Sequence, residues 1–421
     1  MLPSAVEVVL VDFVLLLALA GTVAALTSTA DQIPYPIALL VVGVCVSLVG
    51  VEFRSDLTPE LFSELILLVL VPALLFQGAS RLDADRFVEN LGPILVLAVV
   101  GLPLSVVLLA LAGTSALGLP LLVSLLFATI ILPTDPVAVL PIFDVLGAPE
   151  RLSVLVDGES MLNDGVAVVL YATVVQAVLS GPDAAERFTT GDTLVELAVD
   201  LGVGVLVAML GGAVVGAVAG YVVYRFVAVF DDELTMVILS VVLAYGAFLL
   251  GEALRVSGVI AVVSAGLFIA ERSDSAALSV ATRQTFRITW RSAAFVGNTV
   301  LFLTIGVVTP FDELLRYAGG IAVAIVLVFL ARAVVVYPLS GLVNASPFES
   351  IPRGYQHVLV WSGIHVSVPL ALVLGLPATV PDGVTEQLRA LVFGVATFTL
   401  VVQGLTMESL LHRVGIVTRS T

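Results

Sequence analysis

The stretch "DGESMLNDGVAVVLY" (157–171) sets three carboxylates, a serine and an asparagine at the head of an apolar run. On a helix Ser160 and Asp164 lie four residues apart and share one face, while Glu159 and Asn163 share another. Successive residues turn by about 100°, so the two pairs point to adjacent faces. A hard monovalent cation takes oxygen ligands, and a carboxylate accepts either such a cation or a proton. Asp164, exposed alternately to two sides of a barrier, could therefore trade one for the other. Upstream, "LPTDPVAVLP" (132–141) carries three prolines. The Thr134 hydroxyl and the backbone carbonyls released there could complete a cation shell. Asp135 either joins that shell or satisfies free donors at a broken helix end, where the partial positive charge favours an anion.

Glu159 needs a cation, and Arg332 in "VFLARAVVVYPL" is the clear mid-span arginine. An arginine–glutamate pair inside the protein keeps both charged; the alternative is that Arg332 snorkels to the interface. His365 in "WSGIHVSVPLAL" either titrates or serves as a hydrogen-bonded structural residue that caps carbonyls. Asn298 reads as an interhelical hydrogen-bonding residue. These residues have to be carried by membrane helices. Of the 421 residues 60% are hydrophobic and 12% charged, against roughly 25% charged in soluble proteins. Runs such as "LGPILVLAVVGLPLSVVLLALAG" (91–113) reach the roughly 20 residues needed to cross a bilayer.

Thirteen such runs are expected, at 5–26, 33–51, 60–79, 91–113, 118–146, 151–180, 192–227, 233–253, 257–271, 290–309, 315–343, 354–377 and 384–411. The chain reads as an all-α polytopic membrane protein with a single transmembrane domain over 1–421 and no soluble domain. No positive segment precedes the first run, which therefore reads as a span and not as a cleaved signal peptide. The fifth and twelfth runs are interrupted, by Pro133, Pro136 and Pro141 and by Gly363 and Pro369. Broken helices at matching places in two halves point to a secondary transporter's site; the plainer alternative is two kinked packing helices. The expected halves are inverted repeats at about 5–180 and 233–411, joined by a connector helix at about 192–227.

All 17 basic residues are arginine, and 33 Asp and Glu leave a net charge of −16. The acidic balance excludes nucleic-acid partners, which need clustered Lys and Arg. It fits a halophilic host such as an archaeon, while arginine without lysine also fits a GC-rich genome. With alternating loops, eleven arginines fall on the side of the C-terminus and five on the other, which places the N-terminus outside and the C-terminus in the cytoplasm. The segment 271–291 becomes an inside connector whose arginines meet anionic headgroups. Cys45 is the only cysteine, so no intrachain disulfide or thiolate cluster is possible, and it reads as a small core residue.

The block "ATIILPTDPVAVLPIFDVLGAPERLSVLVDGESMLNDGVAVVLY" (128–171) closely resembles the core signature of the NhaP/NHE branch of cation/proton antiporters. Weaker matches follow through "SGVIAVVSAGLFIA", "VGNTVLFLTIGV", "RAVVVYPL" and "VLVWSGIHVSVPLAL". The resemblance implies thirteen helices, with unwound fifth and twelfth helices crossing at mid-membrane. It implies a homodimer in the cell membrane that works by an elevator-like motion and exchanges sodium, or another alkali cation, for protons. By motif position Asp164 resembles the ion- and proton-carrying aspartate, Thr134 and Ser160 the cation-shell residues, and Asp135 a residue beside the crossing. Asn163 stands where the electroneutral branch has Asn, which implies one-for-one exchange, and Glu159 with Arg332 matches a buried ion pair.

Two departures stand out. The third-span motif "LLFE" reads "LLFQ", with Gln77 for the acid, and "GLRGA" reads "GIHVS", with His365 for the arginine. A protonated His365 would repel cations from the crossing at low pH. The expected partners are the transported cation, protons, lipid and a second copy, with no cofactor. Competing readings are a potassium-selective antiporter, a channel, a sensor on the same fold, and an intramembrane hydrolase built on Asp135 and Asp164.

Overall fold

Runs of Leu, Val, Ala and Ile with few charges leave the backbone no hydrogen-bond partners in lipid except its own, so the described residues are helical almost throughout. The computed structural model describes residues 5–27, 34–49, 59–179, 191–273, 278–377 and 380–417. Among the described residues thirteen main helical elements follow in order, with two short helices, Ala84–Glu89 and Phe311–Arg316, between them. The main elements are α1 (Ala5–Thr27), α2 (Tyr35–Leu48), α3 (59–81), α4 (91–116), α5 (Leu121–Ile131, resuming at Leu140–Leu146), α6 (Glu150–Leu179) and α7 (Gly191–Phe230). Then come α8 (Glu233–Ala253), α9 (Gly258–Ser273), α10 (Val280–Val307), α11 (Ala318–Asn344), α12 (Arg353–Trp361, resuming at Ser367–Leu374) and α13 (382–413). Among the described residues, nine helices are long and apolar enough to cross a membrane. The halves of α12, nine and eight residues long, are each too short to do so alone.

Three elements widen into π-turns, at Ile66–Leu70, Val96–Gly101 and Thr399–Gln403. The first two run directly into Pro72 and Pro103, whose missing N–H makes the local change of register cheap. Elsewhere small residues draw helices together. A Cβ on Gly43 of α2 would come within 2.9 Å of the Gly306 Cα of α10, so the two backbones cross in direct contact. That crossing turns Cys45, two residues or about 200° further on, to the outside. Cys45 is exposed and not in the core.

The segment expected as a connector at 271–291 is in part helix. α10 begins at Val280, ten residues before the apolar run, because the Ser279 side chain accepts from the Thr282 amide and caps a polar extension. Hydropathy alone misses such an extension. Arg283, Arg287 and Arg291 thus stand on α10, and the last two line a wide vestibule.

Candidate functional site

The two interruptions meet. Prolines 133 and 136 stop α5 after Ile131, and α12 stops at Trp361, leaving 132–139 and 362–366 outside α-helix. The Asp135 amide donates to the Ile364 carbonyl at 2.7 Å. His365 Nδ1 lies 2.8 Å from the Pro133 carbonyl; a carbonyl only accepts, so Nδ1 carries the hydrogen. Its own amide donates to Thr399 Oγ1 at 3.2 Å, on the π-turn of α13. His365 is 1% exposed and ties together the two unwound segments and α13. Asp135 caps the turn at Pro136–Ala138 by accepting from the Val137 amide at 3.0 Å, and its other oxygen accepts from the Ser367 hydroxyl.

α6 passes this crossing with two working faces. On one, Arg332 of α11 donates from both guanidinium ends to the two Glu159 oxygens, at 3.0 and 2.9 Å. The same guanidinium donates to the Leu359 carbonyl at 3.0 and 2.8 Å, holding the end of the first half of α12. Gly363 makes room: a Cβ there would meet the Arg332 Cδ at 2.6 Å. Asn163 donates to Glu159 at 3.1 Å and to the Thr134 hydroxyl at 3.5 Å, while its buried Oδ1 has no hydrogen-bond partner. Only about 10 Å³ of space is left beside Glu159, Asn163 and Arg332.

On the other face, Asp157, Ser160 and Asp164 line a cavity of about 190 Å³. Asp135 and Ser367 border it from the crossing, Gln77 and Arg81 from α3, and Asn298 from α10. The Thr134 and Ser160 hydroxyls are 2.9 Å apart at the boundary between the two faces. Asp157 is paired with Arg81 at 3.1 Å. Gln77 and Arg81 also line the vestibule, of about 710 Å³, so they stand where the two spaces meet.

A sequence profile described as "sodium/hydrogen exchanger, transmembrane" matches residues 14–413. The chain belongs to this family. Among relatives of the exchanger family, it is 34% identical over 397 residues to the Na(+)/H(+) antiporter ApNhaP of Aphanothece halophytica, covering 94% of this chain and 73% of the relative. It is 33% identical over 390 residues to the Na(+)/H(+) antiporter NhaG of Bacillus atrophaeus, covering 91% and 71%. The fold matches that of the sodium proton antiporter MjNhaP1 of Methanocaldococcus jannaschii with a TM-score of 0.76 at 18% identity, over 96% of this chain and 98% of that one.

Within this exchanger scaffold the structure gathers Thr134, Asp135, Ser160, Asn163 and Asp164 around the crossing, with Glu159 and Arg332 on the sealed side. Gln77 stands apart at the neck of the cavity. Four participants carried no sequence signal strong enough to single them out. Ser367 and Thr399 are ordinary small polar residues whose partners lie 232 and 34 positions away. Arg81 and Asp157 are 76 positions apart, on two different helices. Asn298 borders the cavity, and its buried Oδ1 is without a hydrogen-bond partner, in contrast to the interhelical bond expected of it.

Proposed function

We propose that this chain is a secondary antiporter, not an enzyme, that exchanges sodium for protons across the cell membrane, with cation and proton competing for Asp164. One observation carries the reading. α6 holds four acidic residues, and three have a basic partner: Glu150 with Arg86, Asp157 with Arg81 and Glu159 with Arg332. Asp164 makes no salt bridge among the described residues, and it faces a cavity. An intramembrane carboxylate left unneutralised beside open space is suited to take its positive charge from outside. Ser160, Thr134, Asp135 and the Asn163 oxygen supply further oxygen ligands within reach of the same crossing.

The remaining parts of the reading rest on sequence. Inverted repeats around the crossing provide alternating access, Asn163 favours one-for-one exchange, and a homodimer in the membrane is the working form. With the N-terminus outside and the C-terminus cytoplasmic, the vestibule opens to the cytoplasm. The names of ApNhaP and NhaG support sodium as the cation.

The test is exchange in liposomes that hold a pH-sensitive dye. A pH gradient is imposed and sodium, lithium or potassium added, with and without a potassium/valinomycin clamp, for wild type and a folded Asp164→Asn variant. Cation-induced collapse of the gradient by wild type only, indifferent to the clamp, is expected. A folded wild type that leaves the gradient intact with all three ions would sink the reading.

A further inference from the structure

The Arg81–Asp157 pair sits where the vestibule meets the inner cavity that Asp164 lines. Arg81 is the last residue of α3, where a cation complements the helix end. Its side chain is 41% exposed, while that of Asp157 is 6% exposed and borders the inner cavity alone. A single contact of 3.1 Å joins them. Asp157 lies seven residues, or about 10 Å along the helix, from Asp164 on the same cavity-lining face. Arg81 is the one basic residue among the described residues that line this inner cavity.

We propose that Asp157 is a recruitment site for the transported cation, closed at rest by Arg81 acting as a tethered competitor; this rests on the antiporter reading above. An arriving cation meets a fixed positive charge at the neck and cannot pass beside it without cost. When Arg81 swings outward, Asp157 becomes a bare carboxylate that binds the cation, and one positive charge replaces another. The swing has somewhere to go, because Asp85 and Asp144 are exposed carboxylates on the vestibule wall. Gln77, one turn before Arg81 on the same face of α3, is neutral. Charge selection at this neck therefore falls to the pair. The cation then moves up the same face of α6 to Ser160 and Asp164.

The experiment measures labelled-sodium uptake from the vestibule-facing side of liposomes, alongside sodium binding to the protein in detergent. It compares wild type, Arg81→Gln, Asp157→Asn and the double variant. Removing the competitor should lower the half-saturating sodium concentration about three- to five-fold, the scale of coupling in a half-exposed pair. Removing the carboxylate should raise it by a similar factor with the maximal rate retained, and the double variant should behave as Asp157→Asn. A pair that merely joins α3 to α6 would give shifts of the same sign in both single variants, or none, and either outcome overturns the proposal. If Arg81→Gln does not fold, Asp157→Asn decides alone, a rise supporting the site and no change overturning it. If wild type moves no alkali cation, the exchange reading fails and binding decides: opposite shifts keep the recruitment site, like shifts end it.

Discussion

Two ion pairs start from carboxylates two residues apart on α6, and they do opposite things. Glu159 and Arg332 are both buried, joined by two parallel hydrogen bonds, and locked further by the Leu359 carbonyl. Asp157 and Arg81 share one contact, and the arginine is nearly half exposed to a wide vestibule. A rotation of about 200° along one helix separates them. The difference teaches that a charge pair's role is set by what surrounds it. Where the guanidinium is enclosed on every side and its donors are used, the pair is part of the frame. Where one partner can reach water and other carboxylates, the pair can open.

The sharpest break in the comparison comes from removing one sealed partner. Arg332→Ala leaves Glu159 buried without its cation, and a loss of about 3–5 kcal/mol is expected, read as a collapse in folded yield and in thermal midpoint. Replacing both residues by apolar ones should cost less than Arg332→Ala alone. A smaller effect follows from crowding the pair without deleting it. Gly363→Ala puts a methyl against Arg332, with an expected loss of about 1–3 kcal/mol, and the midpoint of the purified variant measures it.

The vestibule pair should respond on a lower scale. Asp157→Asn and Arg81→Gln should each cost less than about 1 kcal/mol of stability, read as a small shift of the thermal midpoint, even while sodium half-saturation shifts. A midpoint loss as large as that of Arg332→Ala would erase the distinction between the two pairs. The smallest expected effect is one of screening. Raising ionic strength with an impermeant cation should shrink the difference between wild type and Arg81→Gln in sodium binding, because exposed charges are screened. The stability difference caused by Arg332→Ala should stay as it is.

Much of this arrangement is visible along the chain. Apolar length marks the helices, and prolines 133, 136 and 141 mark where α5 has to break. A lone mid-span arginine made Arg332 the natural partner for Glu159, because few other cations were within the membrane to choose from. The vestibule pair was not visible for the opposite reason: Arg81 lies at a helix end, where an arginine needs no explanation. The polar start of α10 was hidden as well, since it carries arginines and threonines in place of an apolar stripe and is held by the Ser279 cap. Cys45 shows the same limit in reverse. It sits in an apolar run, yet which side of α2 faces inward depends on Gly306 of another helix.

By itself, then, the sequence determined that this is a bundle of membrane helices with two breaks and a cluster of polar groups on α6, because hydropathy, proline chemistry and helical period act over a few residues. Only the tertiary structure decided that the breaks cross at Asp135 and Ile364, that His365 ties them to α13, and that the carboxylates of α6 divide into a locked pair, a half-exposed pair and one left open to the cavity. Those are contacts between residues up to 232 positions apart. Packing sets them, and no local rule of the chain contains them.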